Sequence, residues 1–131
     1  MVVDTSAIFA MIFGEPERDR FSEAIEAAGQ KWVSTMTLVE CASVLLGKGF
    51  EAEPGEILEA FVRLYGLTVV PFDEVQQRLA TVGLVRFGKG RHRAKLNIGD
   101  SVAYGLARSL DQPLLFKGDD FGLTDVKRVF A

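Results

Sequence analysis

Residues 1–17 read MVVDTSAIFAMIFGEPE, and the first six of them decide the class of fold. Residues 1–4 predict a very short buried strand, cut off by Thr5 and Ser6, and a helical stretch follows at once over 7–13. A second helical stretch covers 16–28, with Glu15-Pro16 marking a break at its first helical position. Gly29 closes it as the residue beyond the helix end.

The same alternation continues along the chain. A second strand is expected over 31–34, then a helix over 37–46 that stops at Gly47-Lys48-Gly49. Pro54 opens another helix, in which Ile57, Leu58, Phe61 and Leu64 recur at helical spacing and Gly66 ends the run. LTVVP at 67–71 is a strand by its β-branched content. Asp73 caps the next helix, whose apolar positions include Val75, Leu79 and Val82. Residues 83–95 read as a frayed helix end plus a loop, and 98–110 as a helix with Val102, Leu106 and Leu110 on one face. PLLF at 113–116 is a strand, and 124–130 a last short one. Short strands separated by helical crossovers predict an α/β fold with a mostly parallel sheet covered on both faces.

At 131 residues, 48% of them apolar, the chain fits one domain over 1–131 with one core. Cys41 is the single cysteine, which excludes an internal disulfide and a cysteine-rich zinc site and suits a reducing, cytoplasmic setting. An acid interrupts the N-terminal apolar run and no basic segment precedes it, so a signal peptide is not expected. No apolar stretch approaches the ~20 residues of a membrane span. The net charge of −3 gives no global sign of nucleic-acid binding, so that reading must rest on local clusters.

Ligands of parallel sheets bind beyond the carboxyl ends of the strands, which directs attention to acids at those places. Asp4 ends the first strand, Glu40 lies one turn into the helix after the second, Asp100 opens the 98–110 helix, and Asp119 and Asp120 follow PLLF. Carboxylates brought together raise one another's pKa, and a hard divalent cation removes the conflict. Mg2+ or Mn2+ held this way suits the hydrolysis of a phosphodiester. Each acid also has a purely structural use. Asp4, Thr5 or Ser6 caps a helix, Thr37-x-x-Glu40 matches a capping box, Asp100 sits at the positive end of a helix dipole, and KGDDFG is turn chemistry.

Arg86, Lys89, Arg91, His92, Arg93 and Lys95 form a positive run that suits RNA-backbone contact or a solvated loop. His92 stands alone, so a two-histidine acid–base pair is excluded.

Four segments in order, VVDTSAIFAMIFGEPE, STMTLVECASVL, RHRAKLNIGDSVAYGLA and LLFKGDDFGLTDV, resemble PIN-domain ribonucleases, and within them the VapC toxins of bacterial and archaeal toxin–antitoxin pairs. The resemblance implies a three-layer α/β/α sandwich and an Mg2+- or Mn2+-dependent endoribonuclease with Asp4, Glu40 and Asp100 as metal ligands, directly or through water. The fourth acid is Asp119 or Asp120, and Ser6 matches a small hydroxyl residue near the metal. Ser101 stands where similar sequences often have Cys. The resemblance further implies a homodimer and a VapB-like antitoxin whose basic side chain enters the acidic pocket. The helix from Pro54 and the N-terminal helices are the expected groove for it. The competing readings are a receiver-like Mg2+ protein, a silent α/β binding module and a DNA nuclease.

Overall fold

The computed structural model describes residues 1–50 and 53–131. Its elements run β1 (Val2–Val3), α1 (Thr5–Ile12), α2 (Arg18–Ala27), β2 (Trp32–Ser34), α3 (Thr35–Gly47), α4 (Pro54–Tyr65), β3 (Thr68–Val70), α5 (Glu74–Phe87), α6 (Ile98–Leu110) and β4 (Leu114–Leu115), with a 3₁₀ turn at Phe121–Leu123. The four strands form one sheet in the order β3-β2-β1-β4, and every pair is parallel. Val2 lies opposite both Trp32 and Leu114, so β1 is a central strand.

Side-chain alternation along these strands builds the layers. Val3, Val33 and Leu115 face a core with Ile8, Met11, Phe21, Ile25, Leu45, Leu58 and Phe61, contributed by α1 to α4. Val2 and Leu114 face the opposite core, where α5 and α6 contribute Phe87, Ala103, Tyr104 and Leu106. The expected three-layer α/β/α sandwich is the observed one. No helix among the described residues is long and apolar enough to cross a membrane.

Local chemistry explains most boundaries and corrects several. Asp4 caps α1, which therefore begins at Thr5 rather than Ala7. Pro16 lies in the turn before α2 rather than at its first residue, and Ala28 leaves that helix extended, so Gly29 needs no left-handed backbone. Ser34 accepts from the Met36 amide at 3.1 Å and caps α3; Thr37 lies buried inside the helix, and the expected capping box with Glu40 does not form. Gly66 does end α4 in a left-handed conformation, with φ 63°. The strand expected over 124–130 is reduced to one bridge, Arg128 beside Leu114.

Gly83 is not part of a frayed end. It sits within α5 because a Cβ there would stand 2.6 Å from Cδ1 of the buried Tyr104 ring. Gly105 on α6 repeats the device, since its Cβ would lie 2.6 Å from the Gln76 carbonyl. The two helices approach closely through these gaps. The inward face of α5 is accordingly Gln76, Ala80, Gly83 and Phe87, while the apolar Val75 and Val82 are exposed.

Candidate active site

Parallel pairing puts the carboxyl ends of β1, β2 and β4 on one edge of the sheet. Asp4 follows β1 and is buried at 3% exposure. Its Oδ2 accepts from the Ser6 amide at 3.0 Å and from Ser6 Oγ at 2.6 Å. The Lys117 amide, just past β4, donates to the same Ser6 Oγ at 2.9 Å. Ser6 thus ties the first acid to the segment that carries Asp119 and Asp120.

Glu40 projects from α3 and takes a hydrogen bond on Oε1 from the Thr5 hydroxyl. Its carboxylate lies against the first turn of α6, where a Cβ on Gly99 would fall on it. One residue further, Asp100 forms a reciprocal capping box with Asn97. Its Oδ2 accepts from the Asn97 amide at 3.0 Å, and its own amide donates to Asn97 Oδ1 at 2.8 Å. The structural and the clustered readings of Asp4 and Asp100 are therefore both realised. Asn97-x-x-Asp100 was detectable as a capping pattern, whereas no sequence signal marks Gly99 or the Thr5–Glu40 contact.

The electrostatics show which acidic charges bear on one another. Burial raises the Asp4 carboxyl from 3.8 to about 6; the two Ser6 hydrogen bonds oppose this, and the charges of Asp100 and Glu40 add to it. Burial likewise raises Asp100, opposed by the Asn97 amide and reinforced by Glu40 and Asp120. Asp119 bears on neither group; it lines a separate cavity with Lys117 and Arg128. Among the described residues, no three His, Cys, Asp or Glu side chains stand close enough to hold one ion between them. The donor set fits a hard cation that takes one or two carboxylates and completes its shell with water, rather than one caged wholly by protein.

The family model described as the PIN domain matches residues 1–127. The chain belongs to the PIN-domain family. Its relatives include Ribonuclease VapC30 of Mycobacterium tuberculosis, 41% identical over 129 residues with 98% of each chain covered. Ribonuclease VapC of Mycolicibacterium smegmatis is 39% identical over 129 residues, covering 98% of this chain and 99% of its own. Among solved structures, M. tuberculosis VapC20, described as a sarcin–ricin loop cleaving toxin, superposes with a TM-score of 0.74 at 18% identity, over 98% of this chain and 97% of that one. A chain of a toxin–antitoxin complex from Klebsiella pneumoniae gives 0.68 at 15% identity, over 95% and 92%. These last two likenesses establish the fold.

The remaining features of this PIN domain narrow the sequence readings. Asp73 caps α5 through the Gln76 amide at 2.9 Å, as its position in the sequence suggested. Within the basic run, Arg86 pairs with Asp125 at 2.9 Å and Arg91 Nε donates to the Val85 carbonyl at 3.1 Å. His92 Nδ1 accepts from the Ala94 amide, and its ring stands edge-on to Phe87. Lys89, Arg93 and Lys95 are exposed and make no ion pair among the described residues. An apolar groove of about 480 Å³ runs between α3 and α4, lined by Leu38, Val39, Ala42, Leu58, Val62 and Val69. Its second wall is α3 and the β3 edge, not the N-terminal helices expected from the sequence.

Proposed function

We propose that this PIN domain is a cytoplasmic, divalent-metal-dependent endoribonuclease, the toxin of a toxin–antitoxin pair, acting as a homodimer. The reading follows from its VapC ribonuclease relatives. One structural observation carries the chemistry: Asp4, Glu40 and Asp100, remote in sequence, bear on one another at the carboxyl edge of a parallel sheet. The buried Asp4 carboxylate, with the half-buried Glu40 and Asp100 bearing on it, lacks a counter-charge, and a divalent cation supplies it.

One or two of Asp4, Glu40, Asp100 and Asp120 would hold Mg2+ or Mn2+ directly, and the others would reach it through the waters that complete its shell. The coupling of Asp120 to Asp100 supports it over Asp119 as the fourth acid. Bound there, the ion supplies Lewis acidity toward water and the phosphodiester. Ser6 keeps the Asp4 carboxylate oriented, Thr5 does so for Glu40, and Asn97 for Asp100. Lys89, Arg93 and Lys95 are the cations of the basic run available to the RNA backbone, with Arg86, Arg91 and His92 engaged inside the protein. A VapB-like antitoxin helix suits the α3–α4 groove, and an Arg from it would pair with the acids in place of the metal.

The test is cleavage of RNA and DNA panels with added Mg2+ or Mn2+. RNA cleavage is expected, abolished by EDTA and by Asp4→Asn or Asp100→Asn. Activity that survives chelation would overturn the metal mechanism.

A further inference from the structure

Beside the acids, the fold leaves a cavity of about 540 Å³ between α2, the end of β4 and the C-terminal segment. Its volume suits a small ligand or one unit of a larger one, within the range of about 300–1,000 Å³ of such sites. Asp4, Glu40 and Asp100 do not line it. Its connection to them is the segment 116–120, which supplies one wall through Phe116, Lys117 and Asp119. That segment donates the Lys117 amide to Ser6 Oγ, and its next residue, Asp120, bears on Asp100.

The charges inside the cavity are unevenly matched. Lys117 Nζ is neutralised, 2.6 Å from Glu15 and 3.2 Å from Glu17. Arg20 and Arg128 also line the space, and among the described residues neither pairs with a carboxylate. The Arg20 guanidinium stands over the Phe130 ring, 3.7 Å from its centroid, a contact that leaves its N–H donors free for an acceptor. Arg128 is exposed, its Nη1 passing beside Gly122. The two guanidinia share the space with Asp119 and with Glu17, whose carboxylate is taken by Lys117, and among the described residues neither guanidinium is held by a carboxylate.

We propose that this cavity is the subsite for the RNA nucleotide adjoining the scissile phosphodiester, with Arg20 and Arg128 holding backbone phosphate and Phe116 and Leu123 forming the apolar wall beside its base. The inference rests on the ribonuclease reading. RNA is favoured over an acidic peptide because planar guanidinium forks match phosphate oxygens, and because a polyanion approaching four carboxylates needs compensating cations next to them. The basic run provides fewer than its composition promised, since Arg86 and Arg91 are engaged within the protein.

The experiment measures binding of a single-stranded RNA oligonucleotide by fluorescence anisotropy across a salt series, in the non-cleaving Asp4→Asn background. Arg20→Gln and Arg128→Gln are each expected to weaken binding severalfold. Each should also flatten the dependence of log affinity on log salt by about 0.7, the value for one lost single-strand phosphate contact. Arg128→Gln guards against misfolding, because among the described residues Arg128 makes no ion pair that the substitution removes. Unchanged affinity and slope in both variants, while the wild type cleaves RNA, overturns the subsite and leaves the ribonuclease reading standing. A wild type that neither binds nor cleaves RNA overturns the reading beneath it. Unchanged RNA binding with weakened hold on a purified antitoxin assigns the cavity to protein and also overturns the subsite.

Discussion

Asp4 performs two tasks with one carboxylate. Its Oδ2 caps α1 through Ser6, and its buried charge stands within reach of Glu40 and Asp100. The folded chain holds this proton more tightly than the unfolded chain, with a pKa of about 6 against 3.8. The resulting stabilisation is complete below about pH 4 and lost as pH rises through about 6. Metal-free wild type at pH 7.5 therefore carries an uncompensated buried charge. Asn caps a helix as well as Asp does, so Asp4→Asn removes the charge and keeps the cap. In EDTA at pH 7.5 the variant should exceed the wild type by about 3 kcal/mol in urea denaturation, with the difference closing toward pH 4. Added Mg2+ should then raise the melting temperature of the wild type far more than that of the variant. Equal stabilities at pH 7.5 without metal would remove the electrostatic conflict from the site.

Between elements, the α5–α6 contact governs where Asp100 stands. Val75 and Val82 are among the apolar positions of α5, yet the helix turns Gln76, Ala80, Gly83 and Phe87 to the interface and leaves both valines exposed. Gln76 is buried there because its Nε2 donates to the Pro71 carbonyl at 2.9 Å. Gly105 meets the α5 backbone, which has no rotamer to yield. Gly105→Ala should destabilise the fold by about 1–3 kcal/mol, the usual cost of overpacking a tight contact. Gly29→Ala, whose Cβ would meet nothing within 4 Å, serves as the control. A Gly105→Ala midpoint matching the wild type in urea would show that the helices can separate freely.

Over the whole molecule, the site exists only because α3 and α6 approach from different parts of the chain. At Gly99 that approach leaves no room for a side chain, since a methyl group there would coincide with the Glu40 carboxylate. The displaced group is the end of a flexible side chain, so Gly99→Ala should leave the thermal melt nearly unchanged. RNA cleavage should fall by about 10- to 100-fold, the scale expected when a reacting group is moved by around 1 Å. A normal cleavage rate would remove Glu40 from the acids that act.

Much of this was legible in the residues themselves. Strands and helices are local patterns, and a parallel sheet requires helical crossovers, so residues 1–6 and the alternation after them determined the α/β class, its parallel sheet and the edge where acids gather. Asp73 as a cap and Gly66 as a helix end were equally local. The tertiary structure decided which faces and which partners matter. It turned Val75 outward, tied Arg86 to Asp125, and let the charge of Asp120 bear on Asp100. It also made Gly99 a neighbour of Glu40. These outcomes depend on distances between segments far apart in the chain, where side-chain volume and charge select one packing, and no local spacing encodes them.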